Sequence, residues 1–297
     1  MKDSLLHTLS SLADRHPRLL GSARRSALAL RRRSSAREIN AIEGALDRIS
    51  ALVQGDICVR VNEFDGVFHV DARSALFRRL VHSGHYEPEL SSLCRELVDR
   101  DRDVLDIGAN VGFHAVLFGK LLRSGRVLSV EPTNNALARL KHNIELNQVG
   151  EKVIVHHGAV SDAAGEITIK TIPGREEFSS IGNIEHPSAR GEKFNLETVS
   201  AATVDQLVDQ HQLNPGFVKV DVEGVEHLVF SGADQLLSKH RPIILAELTD
   251  PLLKSNGSSA AQVVQMFERY DYQVTDPLRP SVVPGTREFG DILCRPR

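Results

Sequence analysis

Two stretches of this chain collect residue types that can do chemistry. Residues 103–117, DVLDIGANVGFHAVL, read as a strand, a glycine turn and the start of a helix. At the carboxyl edge of a parallel sheet such a turn is where open α/β folds hold ligands. Gly108 and Gly112 are expected to remove side chains where the backbone approaches a ligand, Ala109 to keep that wall thin, and Asp106 to end the strand with a hydrogen-bond acceptor. The second stretch, residues 219–226, KVDVEGVE, sets Asp221, Glu223 and Glu226 close together where a core strand should end, with Gly224 permitting a sharp turn. Like charges repel, so this concentration asks for a reason beyond folding, although a helix macrodipole accounts for Glu226 by itself.

Glycine spacing narrows the ligand. Dinucleotide sites favour G-x-G-x-x-G, which brings a helix N-terminus onto a pyrophosphate. Here the spacing is G-x-x-x-G, with an acid before the first glycine. A carboxylate repels a pyrophosphate but tolerates an ammonium, which favours S-adenosylmethionine, a ligand with a sulfonium, an ammonium and no phosphate. Glu131 closes the next expected strand, where an acid can accept both hydroxyls of a ribose. Its alternative is an ordinary surface glutamate before a proline.

These groups need a scaffold, and the hydrophobic patterning supplies one. Strands are expected at 104–107, 126–130, 153–157, 217–222 and 243–248, with helices at 112–122, 134–147, 203–211 and 260–270, and closing strands at 272–275 and 292–294. Strand–helix alternation predicts a parallel sheet covered on both faces. Thr203 and Gln206 suit a capping box. Alternating runs at 57–61 and 67–70 flank a turn cluster and predict a small β-hairpin. Helices are expected at 74–82 and from 88 to about 100. Residues 166–172 and 194–199 read as further strands around a polar segment, 173–193, a candidate lid over an acceptor with Ser179, Ser180 and Asn183 as hydrogen-bonding groups, or an insertion without function. The expected organisation is a basic helical extension (1–55), a small hairpin and helical cap (56–100) and a ligand-binding domain (101–297).

Composition removes several function classes. The formal net charge of −3 is unlike that of a nucleic-acid-binding chain, and no nucleic-acid partner is expected. Charge is uneven, however: nine basic residues against three acidic ones give +6 over residues 1–40. The run 24–37 can lie on an anionic membrane surface, or simply be a solvated helix. Three cysteines far apart, Cys58, Cys94 and Cys294, make no zinc-binding pair and suit a reducing compartment. Thirteen histidines show no repeated ligand pattern, so no metal is expected, with an ion on Asp221 and Glu223 the open alternative. No run approaches a membrane span or a secretory signal, which makes cytoplasmic residence the expectation.

A family resemblance then joins the pieces. The stretches YEPE (86–89), VLDIGANVGFHA (104–115), VEP (130–132), AVSDAAGEITI (159–169), TVDQL (203–207) and VKVDVEGVEHLVFSGA (218–233) fall in order, and together they resemble the FkbM family of S-adenosylmethionine-dependent methyltransferases. The resemblance covers about residues 84–250 and leaves 1–55 unmatched. It implies a class I methyltransferase fold, an α/β, Rossmann-like, seven-stranded, mostly parallel sheet with its last strand antiparallel. Asp106, Gly108, Asn110 and Gly112 would surround the methionine part of the cofactor, Glu131 the ribose, and Ala159, Val160 and Asp162 the adenine. Tyr86 and Glu87 would close over the site, while Asp221 and Glu223 would face the methyl group and the acceptor.

Methyl transfer from a sulfonium is an in-line displacement with a neutral leaving group, so alignment and exclusion of water matter most. An alcohol acceptor must also lose its proton, and Asp221 and Glu223 are the candidates to take it, or else to orient the acceptor. The leading expectation is O-methylation of a hydroxyl on a sugar, glycan or secondary metabolite. Alternatives are N- or carboxyl-methylation of a small molecule, an NAD-dependent oxidoreductase, and a cofactor-binding module without catalysis. Acceptor identity and oligomeric state are not readable at this level.

Overall fold

The computed structural model describes Gly44, Val53, residues 55–172, Ser179 and residues 194–297. The basic N-terminal stretch and most of the polar segment 173–193, including Ser180 and Asn183, lie outside the described residues. No helix among the described residues is long and apolar enough to cross a membrane.

The chain begins with an antiparallel hairpin, β1 (Asp56–Val61) and β2 (Gly66–Asp71), joined by a 3₁₀ turn at Asn62–Phe64. Helices α1 (Ala75–Ser83) and α2 (Pro88–Leu97) follow. Ser74 caps α1 by accepting from the Phe77 amide, and Pro88 opens α2, where its missing N–H costs nothing. Helix α2 stops three residues short of the expectation, because Val98 takes an extended conformation.

Strand β3 (Asp103–Ile107), α3 (Phe113–Leu121), β4 (Val127–Glu131), α4 (Asn134–Leu146) and β5 (Val153–His157) form the first half of the main sheet. A small second sheet interrupts it, with β6 (Ala159–Val160), β7 (Gly165–Thr171) and β8 (Asn195–Ala202) in the order β6–β8–β7. Strand β8 runs beyond its expected end because it pairs with β7 along its length and with β6 at Ala201–Ala202. Helix α5 (Val204–His211) carries the expected capping box of Thr203 and Gln206. The second half holds β9 (Pro215–Val220), α6 (Glu226–Ser231), a π-helical turn at Leu236–His240, β10 (Ile243–Thr249), α7 (Asp250–Ser255), α8 (Ala260–Arg269), β11 (Tyr272–Thr275) and β12 (Phe289–Pro296).

The main sheet has seven strands in the order β11–β12–β10–β9–β3–β4–β5. Strands β10, β9, β3, β4 and β5 are parallel, and β12 runs antiparallel to both its neighbours. From β3 the chain winds outward to β5 and then returns to β9 on the other side. The crevice at that reversal is the place where such sheets bind ligands. Strands β3, β4 and β9 are buried at every residue, as both-face coverage requires.

Residues from the hairpin, α1 and α2 share one core cluster with α3, α4 and the sheet. Phe113 stacks against Phe64 (5.2 Å) and Phe68 (4.5 Å). The open edge of β2 is closed by two asparagines one turn apart on α4. Val67 N–H donates to Asn147 Oδ1 (3.0 Å) and Asn147 Nδ2 donates back to Val67 O (2.7 Å). Asn143 repeats the pattern with His69 (2.7 and 3.1 Å). A side-chain amide carries the donor and acceptor of a peptide, so α4 stands in for a neighbouring strand.

Candidate active site

The glycine turn is shaped first by its protein neighbours. Gly108 has φ +82, and a Cβ there would lie 1.8 Å from the Asp221 carbonyl oxygen. Gly112 has φ +92, and its Cβ would meet Leu140 Cδ1 at 2.6 Å. Close approach of the β9 turn to Gly108 and of α4 to Gly112 already requires glycine at both positions. Asn110 sits at φ +49, a left-handed conformation that asparagine tolerates well.

Glu131 braces this turn. Its Oε2 accepts from the Asn110 amide (2.8 Å), and its Oε1 from the Thr133 amide (3.0 Å) and hydroxyl (2.7 Å). Burial raises its pKa while these three hydrogen bonds oppose the rise. The carboxylate therefore holds the turn in place and keeps limited acceptor capacity for anything else.

Asp106 lies beneath the turn, 0% exposed, with neither carboxylate oxygen hydrogen-bonded among the described residues. Burial pushes its pKa to about 6, with Lys219 pulling down and Asp221 pushing up. Lys219 is its register partner across β3 and β9. The ammonium of Lys219 lies 3.1 Å from Asp221 Oδ2 and is almost fully buried. Burial alone would depress that lysine, but Asp221, Asp106 and Glu87 more than offset it and hold it protonated. Lys219 was not among the residues expected at the site. Its signal was a lysine inside an otherwise apolar strand, two residues before Asp221 and hence on the same face.

Strand β9 ends at Val220, earlier than expected, since Glu223 (φ +54) and Gly224 (φ +91) turn the chain sharply. Glu226 folds back to accept from the Gly224 amide (3.0 Å), and burial first of all raises its pKa to about 7. It braces the turn and does not reach the cavity. His114 packs edge-on against Phe64 at 4.9 Å, and burial keeps it neutral.

A cavity of about 720 Å³ runs along the carboxyl edges of the sheet. This is within the roughly 300–1,000 Å³ range of small-molecule and cofactor sites. Among the expected site residues, Tyr86, Glu87, Gly108, Asn110, Glu131, Ala159, Val160, Asp221 and Glu223 line it, as does Ser179. Asp106, Ala109, Gly112 and Asp162 do not. Asp162 is exposed and accepts from the Ser161 hydroxyl at 3.1 Å.

The two ends of the cavity differ in chemistry. From Ile107 to Val160 the described lining carries one charged group, Glu131, and no lysine or arginine. Beyond β9 it carries Glu223, Glu247, Asp276, Arg279, Arg287, Glu288 and Asp291, together with Phe289, which is 54% exposed. Tyr86 and Glu87 line the cavity from the loop before α2, with the Arg79 guanidinium 4.9 Å above the Tyr86 ring and 3.5 Å from Glu87. Among the described residues no three His, Cys, Asp or Glu side chains are grouped so as to hold a metal ion.

This strand order, with an antiparallel strand inserted beside β10 and a ligand crevice at the β3–β9 reversal, is that of the class I methyltransferases. The chain belongs to the FkbM methyltransferase family, whose "Methyltransferase FkbM domain" matches residues 106–274. Over 160 residues it is 26% identical to the hexuronic acid methyltransferase AglP of Haloferax volcanii, covering 54% of this chain and 61% of that protein. Over 230 residues it is 25% identical to the AMB antimetabolite synthetase AmbE of Pseudomonas aeruginosa, covering 66% of this chain and 10% of that protein. It thus spans about three fifths and a tenth of the lengths of these curated relatives. Similar solved structures include a methyltransferase FkbM from Methylobacillus flagellatus (TM-score 0.42, 19% identity, 67% of this chain, 45% of that one). An O-methyltransferase from Bacillus cereus in complex with SAH is another (TM-score 0.43, 13% identity, 86% of this chain, 100% of that one).

Proposed function

We propose that this protein transfers a methyl group from S-adenosylmethionine to a hydroxyl of a sugar, glycan or secondary metabolite. The observation that carries the reading is the cavity wall from Ile107 to Val160, whose single charged group is a carboxylate. A dinucleotide's pyrophosphate has no cation to meet there, whereas a phosphate-free ligand with its own positive charges fits. Gly108 and Asn110 would hold the methionine part, Glu131 would accept from the ribose with its remaining lone pair, and Ala159 and Val160 would pack on the adenine. The cofactor supplies a methyl group on a sulfonium, which leaves as a neutral thioether.

The protein's own contribution is placement. Asp221 and Glu223, at the boundary between the two ends, face the methyl group and orient the acceptor, and Lys219, 3.1 Å from Asp221 Oδ2, holds Asp221 in place. Tyr86 and Glu87 shield the reacting atoms from water, which strengthens each electrostatic contact inside. AglP acts on a hexuronic acid by its name, and this supports a sugar as the acceptor class. Calorimetric titration with S-adenosylmethionine and with NAD tests the cofactor. Saturable binding of the first alone is expected, and preference for NAD would overturn the reading. Transfer of an isotope-labelled methyl into a cell extract, followed by product identification, tests the acceptor, with a new methyl ether as the expected result.

A further inference from the structure

Two carboxylates of the charged end are already engaged. Asp221 pairs with Lys219. Asp276 accepts from the Leu278 and Arg279 amides (3.0 and 2.8 Å) and lies 3.5 Å from the Arg287 guanidinium. Glu247 and Asp291 differ. They are register partners, directly opposite on β10 and β12, and both line the cavity. Directly opposite residues on antiparallel strands hold their Cβ atoms about 4.5–5.5 Å apart, close enough for two carboxylates to share a proton. Among the described residues neither side chain takes part in a hydrogen bond or an ion pair. Sheet order places Glu247 two strands and Asp291 three strands from the glycine turn, beyond Asp221 and away from the proposed cofactor wall.

We propose that Glu247 and Asp291 together receive the proton of the hydroxyl that becomes methylated, while Asp221 serves as a positioning residue held by Lys219. The inference rests on the methyltransferase reading above. In the step, the acceptor oxygen gives its proton to the carboxylate pair and forms the new bond to the methyl carbon. The bond from that carbon to sulfur breaks, and its electron pair stays on sulfur. Asp221 is already engaged by the buried Lys219 ammonium at 3.1 Å, which fixes it as a positioning group.

The surroundings of the pair agree with this role. Glu247 faces Asp221 and Glu223 from the β9 turn, Glu87 from the loop before α2, and Asp291; burial and these like charges hold its pKa well above the usual carboxylate range. Asp291 faces Glu87, Asp221 and Asp276, with Lys219 opposing, and burial first of all pushes it to about 7. A base is most effective when it titrates near the working pH.

The test uses the full chain and the isosteric variants Glu247→Gln and Asp291→Asn. Calorimetry with S-adenosylmethionine reports folding and cofactor binding, and both variants are expected to bind like wild type. Carboxyl ¹³C NMR across a pH series reads the pair directly: at least one member titrates near or above pH 7, and removing either partner shifts the other down by about one unit or more. Labelled methyl transfer into extract falls roughly 100-fold or more in each variant. Both carboxylates titrating below about pH 5, the ordinary carboxylate range, or both variants transferring at the wild-type rate, overturns this inference alone. Absence of S-adenosylmethionine binding by the wild-type chain overturns the methyltransferase reading itself.

Discussion

The two ends of the cavity solve opposite problems. At the β3–β4 end, backbone and side chains are tied to one another: Gly108 and Ala109 amides both donate to Val130 O, and Glu131 is bonded three times. That wall is stiff and nearly uncharged. At the β9–β10–β12 end, charges crowd, two carboxylates opposite each other have no hydrogen bond among the described residues, and an aromatic ring stands exposed. A constant ligand needs a pre-formed wall, while an acceptor needs groups with spare bonding capacity. The comparison teaches that hydrogen bonding together with access to the cavity, rather than residue type, separates the bracing carboxylate Glu131 from the unengaged Glu247 and Asp291.

Breaking the boundary between the ends should have the largest effect. Lys219→Met removes the cation paired with Asp221 in this buried group and is expected to cost about 3–5 kcal/mol of stability, the usual result of breaking a buried pair. Chemical denaturation measures it, and a loss below about 1 kcal/mol, the level of exposed pairs, would mean that water screens the cluster. Next comes Glu131→Ala, which strips three hydrogen bonds from the uncharged end. Charge-assisted bonds of this kind are each worth about 1.5–3 kcal/mol. S-adenosylmethionine affinity should fall by roughly 100-fold, about 2.7 kcal/mol, in a calorimetric titration.

A smaller effect concerns pH. Asp106 in the folded protein titrates at about 6, above its ordinary 3.8. The folded state therefore binds the extra proton, so this group's stabilising contribution is complete below about pH 4 and declines as pH rises through 6. Asp106→Asn should flatten that part of a stability profile measured between pH 4 and 7. An unchanged slope would show that Asp106 is already ionised at the lower pH. The smallest structural effect is expected from Phe289→Ala at the exposed rim. Stability should move by less than about 0.5 kcal/mol, and cofactor affinity should not change, while methyl transfer to the acceptor falls. If cofactor affinity falls as well, the two ends are not separate.

Much of the scaffold was legible because its strands are long, apolar and separated by helices of helical period. The parallel order, the capping box at Thr203 and the hairpin around residues 62–66 all follow from local patterning. Shorter pieces were not legible. Strand β6 has two residues, and helices α6 and α7 have six each, too few for a period to declare itself. The pairing of β8 with both β7 and β6 depends on residues far apart in the chain.

The site was legible in part for the same reason. Glu131 and Asp221 could be singled out because each stands at the carboxyl end of an apolar run. Glu247 and Asp291 could not, since each sits in a strand with nothing unusual beside it, and only the antiparallel ladder sets one against the other. Lys219 was not singled out, since its neighbour Asp106 lies on β3, far away in sequence.

By itself, the sequence determined the sheet, the turn after β3 and the acid at the end of β4, because these depend on periodicity and on neighbours a few residues away. Only the tertiary structure decided what the glycines and carboxylates do. Gly108 answers to Asp221, Gly112 to Leu140, and the carboxylates divide into braced and unengaged according to partners on other strands. Electrostatic and steric interactions act through space, so their outcome is set where the chain brings distant residues within a few ångströms.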